Sequence, residues 1–294
     1  MTNIQTRCDG IFLGHIIASK FDVSCHMALQ LSESLLELKR FDGPNIISRY
    51  LYLNHTKKYD FGETMKFVYQ NLKDKIKHYD EHSSISREDF LFDQSIIDET
   101  VKLTDKKLGG YTAGCGPVHR SFPLALCPWI DDDDLFNISK KEATLTHFNP
   151  LAGQVAGIVN LICRSLLKNA TWHDAVQSAF STPSLHTELG DVYYRYSRWS
   201  TPSKNIHSAY APTVLQQALH YVTTSHNITE VIEKAKVDRN VYCLPIIGVL
   251  SGALWGIPLN MYKDKANDVL LKSIRDTANK LSKQWTSKYE SVNV

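Results

Sequence analysis

The stretch from Val237 to Tyr262 reads VDRNVYCLPIIGVLSGALWGIPLNMY, and its glycines decide how the chain is built. Gly248, Gly252 and Gly256 recur every four residues, with Ser251, Ala253 and Trp255 between them. On a helix that spacing places all three on one face, one turn apart. Each glycine in a helix interior costs about 0.5–1 kcal/mol relative to alanine. A run of three therefore implies that another backbone comes very close, and the stretch predicts a buried central helix. Pro245 fits only near the start of that helix, because a proline further in removes an internal hydrogen bond. Asp238 to Cys243 then fall at the helix N-terminus, where backbone N–H groups and the dipole favour an anion or phosphate.

A second ridge of small residues lies near the beginning of the chain. Gly10, Gly14 and Ala18 repeat at the same spacing, which predicts a first helix shaped for close packing. Asp22-Val-Ser-Cys-His-Met27-Ala-Leu follows, and Met27, Leu31, Leu35 and Leu38 form one apolar helical face. Asp42-Gly43-Pro44 is a turn that opens a helix. Met65, Val68, Leu72 and Ile76 mark another helix, Ile96, Ile97, Val101 and Leu103 a short one, and the charged segment 77–89 reads as a surface loop. Gly109-Gly-Tyr-Thr-Ala-Gly-Cys-Gly-Pro-Val-His-Arg-Ser-Phe-Pro-Leu124 is a glycine-rich loop leading into a helix. Asp131 to Asp134 reads as a solvated helix start stabilised by the dipole. Leu145-Thr-His-Phe-Asn-Pro150 precedes a helix with Ala152, Val155, Ala156, Val159 and Ile162 inward. Thr171 with Asp174 caps another start. Tyr193, Tyr194, Tyr196 and Trp199 form an aromatic cluster, read as core or subunit contact. Asn227 caps the helix leading to Asp238, and 263–290 is a last amphipathic segment. No strand alternation persists, so the pattern is all-α, and with no repeat or linker residues 1–294 read as a single domain.

The totals bound the function. With 294 residues, 43% of them hydrophobic, the chain can bury a large core. Its 33 Lys and Arg nearly balance 31 Asp and Glu, and the net charge of +2 gives no electrostatic case for nucleic acid or an anionic membrane as partner. The apolar run Ile11 to Ser19 is too short to span a bilayer and lacks the flanks of a signal peptide. The six cysteines, scattered at 8, 25, 115, 127, 163 and 243, read as intracellular free thiols, so a soluble cytoplasmic protein is expected.

Together these motifs resemble the ADP-ribosylglycohydrolases, a family that includes the dinitrogenase-reductase-activating enzymes and the J1 crystallins. The resemblance runs from Gly10 to Tyr262 and implies that family's compact orthogonal helical domain. The glycine helix with Ile257-Pro258 is similar to the C-terminal signature, and Gly10 and Gly14 to the opening one. In the glycine-rich loop Gly114, Gly116, Arg120, Pro123 and Leu124 match, while Cys115 stands for an Asn and His119 for a Met. Leu145-Thr-His147 resembles a Leu-Thr-His motif. The family carries a segment between its first two signatures, and almost nothing separates them here between residues 18 and 22, through a deletion or a gene-model gap.

By resemblance, the family's reaction cleaves the C1″ glycosidic bond of ADP-ribose with the help of two magnesium ions held by aspartates. The matching positions here are His15, Val23, Ser24, Arg239 and Val241, and none is a carboxylate. Asp22 and Asp238 lie one position off, and on a helix one residue turns a side chain by about 100°. The resemblance therefore implies a protein without catalytic residues or a magnesium cofactor, acting as an ADP-ribose-type binding protein or a structural, crystallin-like one. A residual pocket is expected from Gly114, Cys115, Gly116, His119, Arg239 and Asn240, with Arg239 replacing a lost cation's charge and ADP-ribose or a related nucleotide as the partner. Two alternatives stay open: an active glycohydrolase with relocated magnesium ligands, and a zinc site from His15, Cys25, Cys115 and Cys243.

Overall fold

The two ridges of small residues find each other. In the computed structural model, which describes residues 4–57, 59–76, 79, 85–198, 208–258, 261 and 269–290, helix α1 (Ile4–Ser19) lies against α14 (Leu244–Trp255). A Cβ added to Gly10 would overlap the carbonyl oxygen of Gly252, and one on Gly14 that of Gly248; the reverse holds for Gly252 and Gly248. The close approach inferred from the glycine spacing is thus reciprocal, glycine to glycine. Gly256 departs from the expectation: it ends the helix with φ 72°, its N–H donating to the Gly252 carbonyl at 2.9 Å. Pro245 stands in the first turn, as a proline must.

Around this pair the other helices form layers. Helix α9 (Pro150–Leu167) runs beneath both, and it also packs on α6 (Gly116–Arg120), α7 (Pro123–Leu126), α8 (Asp132–Ala143), α10 (Trp172–Phe180) and α12 (Ala211–Thr223). It is the one described helix long and apolar enough to cross a membrane, and most of it is buried inside the protein. Its Arg164 donates to the carbonyls of Leu124, Ala125, Cys127 and Ile130 at 2.7–3.2 Å, which satisfies the open C-terminal end of α7. Helix α2 (Val23–Leu38) covers α3 (Gly43–Thr56), α6, α7 and α15 (Val269–Glu290). Helices α4 (Glu63–Lys73) and α5 (Gln94–Lys107) pack on each other, and α11 (Thr187–Ser197) lies against α12. Helix α13 (Ile228–Val237) leads back to α14 through a 3₁₀ turn, Val241–Cys243.

The local signals hold where chemistry enforces them. Asp42 accepts from the Asn45 N–H, Thr171 from that of Asp174, and Asn227 from that of Glu230, all at 3.0–3.2 Å. Among the described residues there is no strand, only an isolated bridge between Gly114 and Tyr210. Helix α5 differs from its reading: Ile97, Thr100, Val101 and Thr104 are buried, and Leu103 is 54% exposed. Threonine satisfies its hydroxyl within the helix, Thr104 Oγ1 donating to the Thr100 carbonyl at 2.9 Å, so it can take an inward position. Arg87–Phe90 forms a 3₁₀ turn with Phe90 buried, so the end of the segment expected as a loop is anchored. Tyr193 stacks on Phe180 and Tyr196. Trp199 and Tyr262 lie outside the described residues, as do 77–78, 80–84 and 263–268.

The ridge makes two opposite forecasts for the same substitution. Gly14→Ala should cost about 3 kcal/mol, because a backbone carbonyl must move. Gly190→Ala, in α11 with open space beside it, should gain about 0.5–1 kcal/mol. Urea midpoints of the two variants decide; a neutral Gly14→Ala would contradict the contact between α1 and α14.

Candidate functional site

The starts of four helices converge on one cavity of about 540 Å³. Asp22 to Ser24 of α2, Gly62 to Met65 of α4, Cys115 and Gly116 of α6, and Val241, Tyr242, Leu244 and Pro245 before and in α14 line it. The cause is in the fold: the contact of α1 with α14 sets the end of one beside the start of the other, and only Lys20, Phe21 and Asp22 separate α1 from α2. Met27 and Met65 add soft apolar wall, and His119 and His147 add nitrogen.

His147 is held by a buried ionic network. Arg120 and Glu142, both fully buried, pair at 2.7 Å; the Tyr50 hydroxyl donates to the same carboxylate at 2.9 Å. Arg120 also donates to Thr146 Oγ1 at 2.9 Å, and that hydroxyl lies 2.8 Å from His147 Nδ1. With Arg120 supplying the proton to Thr146, the threonine's own proton is available to Nδ1, which leaves the ring's proton on Nε2. His147 is 3% exposed, and among the described residues Nε2 has no hydrogen-bond partner. Burial, reinforced by the nearby Arg120 charge, lowers its pKa to about 3, so the ring is a neutral donor at ordinary pH.

That ring also explains the glycine-rich loop. A Cβ on Gly114 would stand 3.1 Å from His147 Nε2, and one on Gly116 3.2 Å from Cε1. The two glycines make room for the imidazole edge at the cavity wall. The sequence placed His147 inside a motif but gave it no role, and its burial beside an ion pair was not legible from spacing.

A second hydrogen-bonded chain stands at positions for which the resemblance implies aspartates. Ser24 Oγ donates to Asp22 Oδ1 at 2.5 Å, and the Ser24 and Cys25 N–H groups donate to the same oxygen at 3.0 and 3.3 Å. His15 Nε2 lies 3.1 Å from Ser24 Oγ and 2.8 Å from the His119 carbonyl. A carbonyl only accepts, so Nε2 carries the proton and cannot act as base toward Ser24. Histidine, serine and aspartate are together here, yet they are not a nucleophilic triad. His15 Nδ1 is buried without a partner, and burial lowers the ring's pKa. His119 Nε2 donates in turn to the Tyr242 carbonyl at 2.9 Å, and its pKa falls to about 4, burial outweighing the pull of Asp22.

Not every expected residue reaches the cavity. Gly114, Cys115, Gly116 and His119 do; Arg239 and Asn240 do not. Helix α13 closes in a Schellman motif: Asn240 N–H donates to the Ala235 carbonyl at 2.9 Å and Arg239 N–H to that of Lys236 at 3.0 Å. Arg239 takes the left-handed position of that motif, φ 53°, and is exposed away from the cavity, so the charge expected of it there is not present. Asp238 accepts from the Tyr221 hydroxyl at 2.7 Å instead of facing a ligand. The expectation that Asp238 to Cys243 form one anion-facing helix start is corrected: only Val241 and Tyr242 of these line the cavity.

Three carboxylates that spacing did not single out together, Asp22, Asp60 and Glu63, line the cavity as well. Asp60 sits at the rim paired with Lys66 at 2.8 Å, with its side chain 82% exposed, and Glu63 is also exposed. Magnesium requires several oxygen ligands in near-octahedral order. His15, Val23, Ser24 and Val241 supply no carboxylate, Arg239 points away, and Asp22 Oδ1 is taken by three donors, so these residues do not fit the ion. The zinc set fails too: among the described residues no three His, Cys, Asp or Glu side chains are grouped to hold a metal. Cys243 instead donates to Gln217 Oε1 at 3.3 Å, and burial pushes the Cys115 thiol up to about 12.

A strained turn borders the cavity. Lys20 and Phe21, with φ 56° and 59°, join α1 to α2 in consecutive left-handed conformations, and neither is glycine. Each costs roughly 1–2 kcal/mol. Phe21 is packed against the core, while Lys20 is exposed and lines the cavity.

The sequence matches the family described as ADP-ribosylglycohydrolase over residues 10–286. No curated protein matches it at a significant level. Among solved structures, one described as an "ADP-ribosylglycohydrolase-related protein complex" is similar, with a TM-score of 0.69 and 18% identity over 97% of this chain and 99% of that one. At that identity the likeness is one of fold.

The histidines predict a pH dependence. His147 and His119 bind protons more readily unfolded than folded, because both pKa values are depressed in the native state. Their stabilising contribution is complete above the unfolded value, about 6.5, and is lost as pH falls through about 4 and about 3. Tm should therefore decline on acidification from pH 6.5, and the decline should be shallower in His147→Gln; equal slopes would contradict the placement of the ring.

Proposed function

Because this chain belongs to the ADP-ribosylglycohydrolase family, we propose that it binds an ADP-ribose-type ligand in the cavity without hydrolysing it. One observation carries the reading: the cavity persists with a built donor, His147 Nε2, while the positions matching the family's acidic ligands hold His15, Val23, Ser24, Arg239 and Val241. A cavity of about 540 Å³ suits a small ligand. The buried Arg120–Glu142 pair fixes the orientation of the imidazole, so its N–H is aimed before a ligand arrives and little ordering is required on binding. Hydroxyl or phosphate oxygens are the acceptors it fits.

Hydrolysis is a different demand. A glycosidase divides acid and base roles between two carboxyl groups, or activates water on metal ions. Asp22 is occupied as the cap of α2, and Asp60 is paired with Lys66 in solvent. A second reading, an active glycohydrolase with relocated ligands, draws on the presence of Asp22, Asp60 and Glu63 around the same cavity.

Purified protein with magnesium should release no ADP-ribose from an ADP-ribosylated protein; turnover abolished by a chelator would establish the second reading. ADP-ribose at millimolar concentration should raise Tm, since a ligand that binds only the native state stabilises it. An unchanged melting curve would favour a structural, crystallin-like role.

A further inference from the structure

We infer that Lys20 is the anion-binding residue of this cavity, holding a phosphate or diphosphate group of the ligand at its entrance. The inference deepens the binding reading above and rests on it for the identity of the whole ligand. Three independent features converge. Lys20 lines the cavity, is exposed, and makes no ion pair among the described residues. The other charges there are already engaged or offset: Asp60 by Lys66, Asp22 by the N–H groups of Ser24 and Cys25, and Glu63 by its place in the first turn of α4, where the helix dipole favours an anion. Among the described residues lining the cavity, Lys20 is the cation left available.

The second feature is the backbone. Lys20 and Phe21 adopt left-handed conformations that glycine takes without penalty, and glycine stands at neither. Phe21 is packed against the core, which fixes the turn and leaves Lys20 projecting over the opening. Strain of this kind persists where the surroundings over-determine it, often at ligand clamps. The third feature is His147, 97% buried by its 3% exposure, whose Nε2 has no partner among the described residues and lines the same space. A neutral donor in the wall and an ammonium at the mouth together match a ligand with oxygen acceptors at one end and negative charge at the other. The positive charge that the sequence assigned to Arg239 comes instead from the residue just after α1.

The test is calorimetric titration of the full chain and its Lys20 variants with ADP-ribose, inorganic pyrophosphate and adenosine at low ionic strength. Lys20→Ala should weaken ADP-ribose and pyrophosphate by about tenfold or more and leave adenosine unchanged. Lys20→Arg should keep most of the affinity, and added salt should erode binding in the wild type more than in Lys20→Ala. Lys20→Gly separates function from strain: Tm should rise, because glycine accepts the positive φ, while anion affinity falls. If Lys20→Ala binds ADP-ribose and pyrophosphate as tightly as the wild type, the lysine inference is overturned and the cavity reading stands. Wild-type binding of pyrophosphate but not ADP-ribose would support the lysine and refute the ADP-ribose reading. Binding of neither would overturn both.

Discussion

The backbone contact between α1 and α14 is the constraint from which the other features follow. Gly10 and Gly14 meet Gly252 and Gly248 so closely that no side chain fits on either helix at these points. Such packing forgoes side-chain burial for dispersion between main chains, and it fixes the helices in a single register. Because α1 ends where α14 begins, the register also sets the cavity at that junction. Lys20 and Asp22 meet Tyr242, from a distant stretch of sequence, because the ridge admits no slip.

Charge inside this protein is arranged to specify geometry more than to add stability. A fully buried Arg120–Glu142 pair is costly to desolvate and recovers that cost only through its surrounding hydrogen bonds. Here Tyr50 and Thr146 supply them, and the outcome is an imidazole with one tautomer and one orientation. The His15–Ser24–Asp22 chain does something comparable across α1 and α2, with His119 extending it to the turn before α14. Helix α1, the start of α2 and the turn before α14 are joined there by two imidazoles, a serine and a carboxylate.

Much of the fold was legible because its signals are local. Glycine spacing exposed the ridge, and Asp42, Thr171 and Asn227 announced helix starts through short-range hydrogen bonding. The site was legible only in part. Gly114 and Gly116 were recognisable, but their reason lies more than thirty residues on, in the ring of His147. Arg239 was misplaced because a Schellman closure, which needs a residue in the left-handed conformation, leaves no mark when that residue is arginine. Asp60 and Glu63 reach the cavity through the tertiary position of α4, which no periodicity encodes. Leu103 and Thr100 exchanged roles because a threonine that bonds within its own helix behaves as a small apolar residue.

All six cysteines are buried, and burial pushes their thiols to higher pKa values, Cys115 and Cys127 to about 12. The reactive species of a thiol is its thiolate, so the native protein presents almost none to an alkylating or oxidising reagent. Covalent labelling of this chain would then proceed through opened conformations, and its rate would act as a clock for how often the helices part.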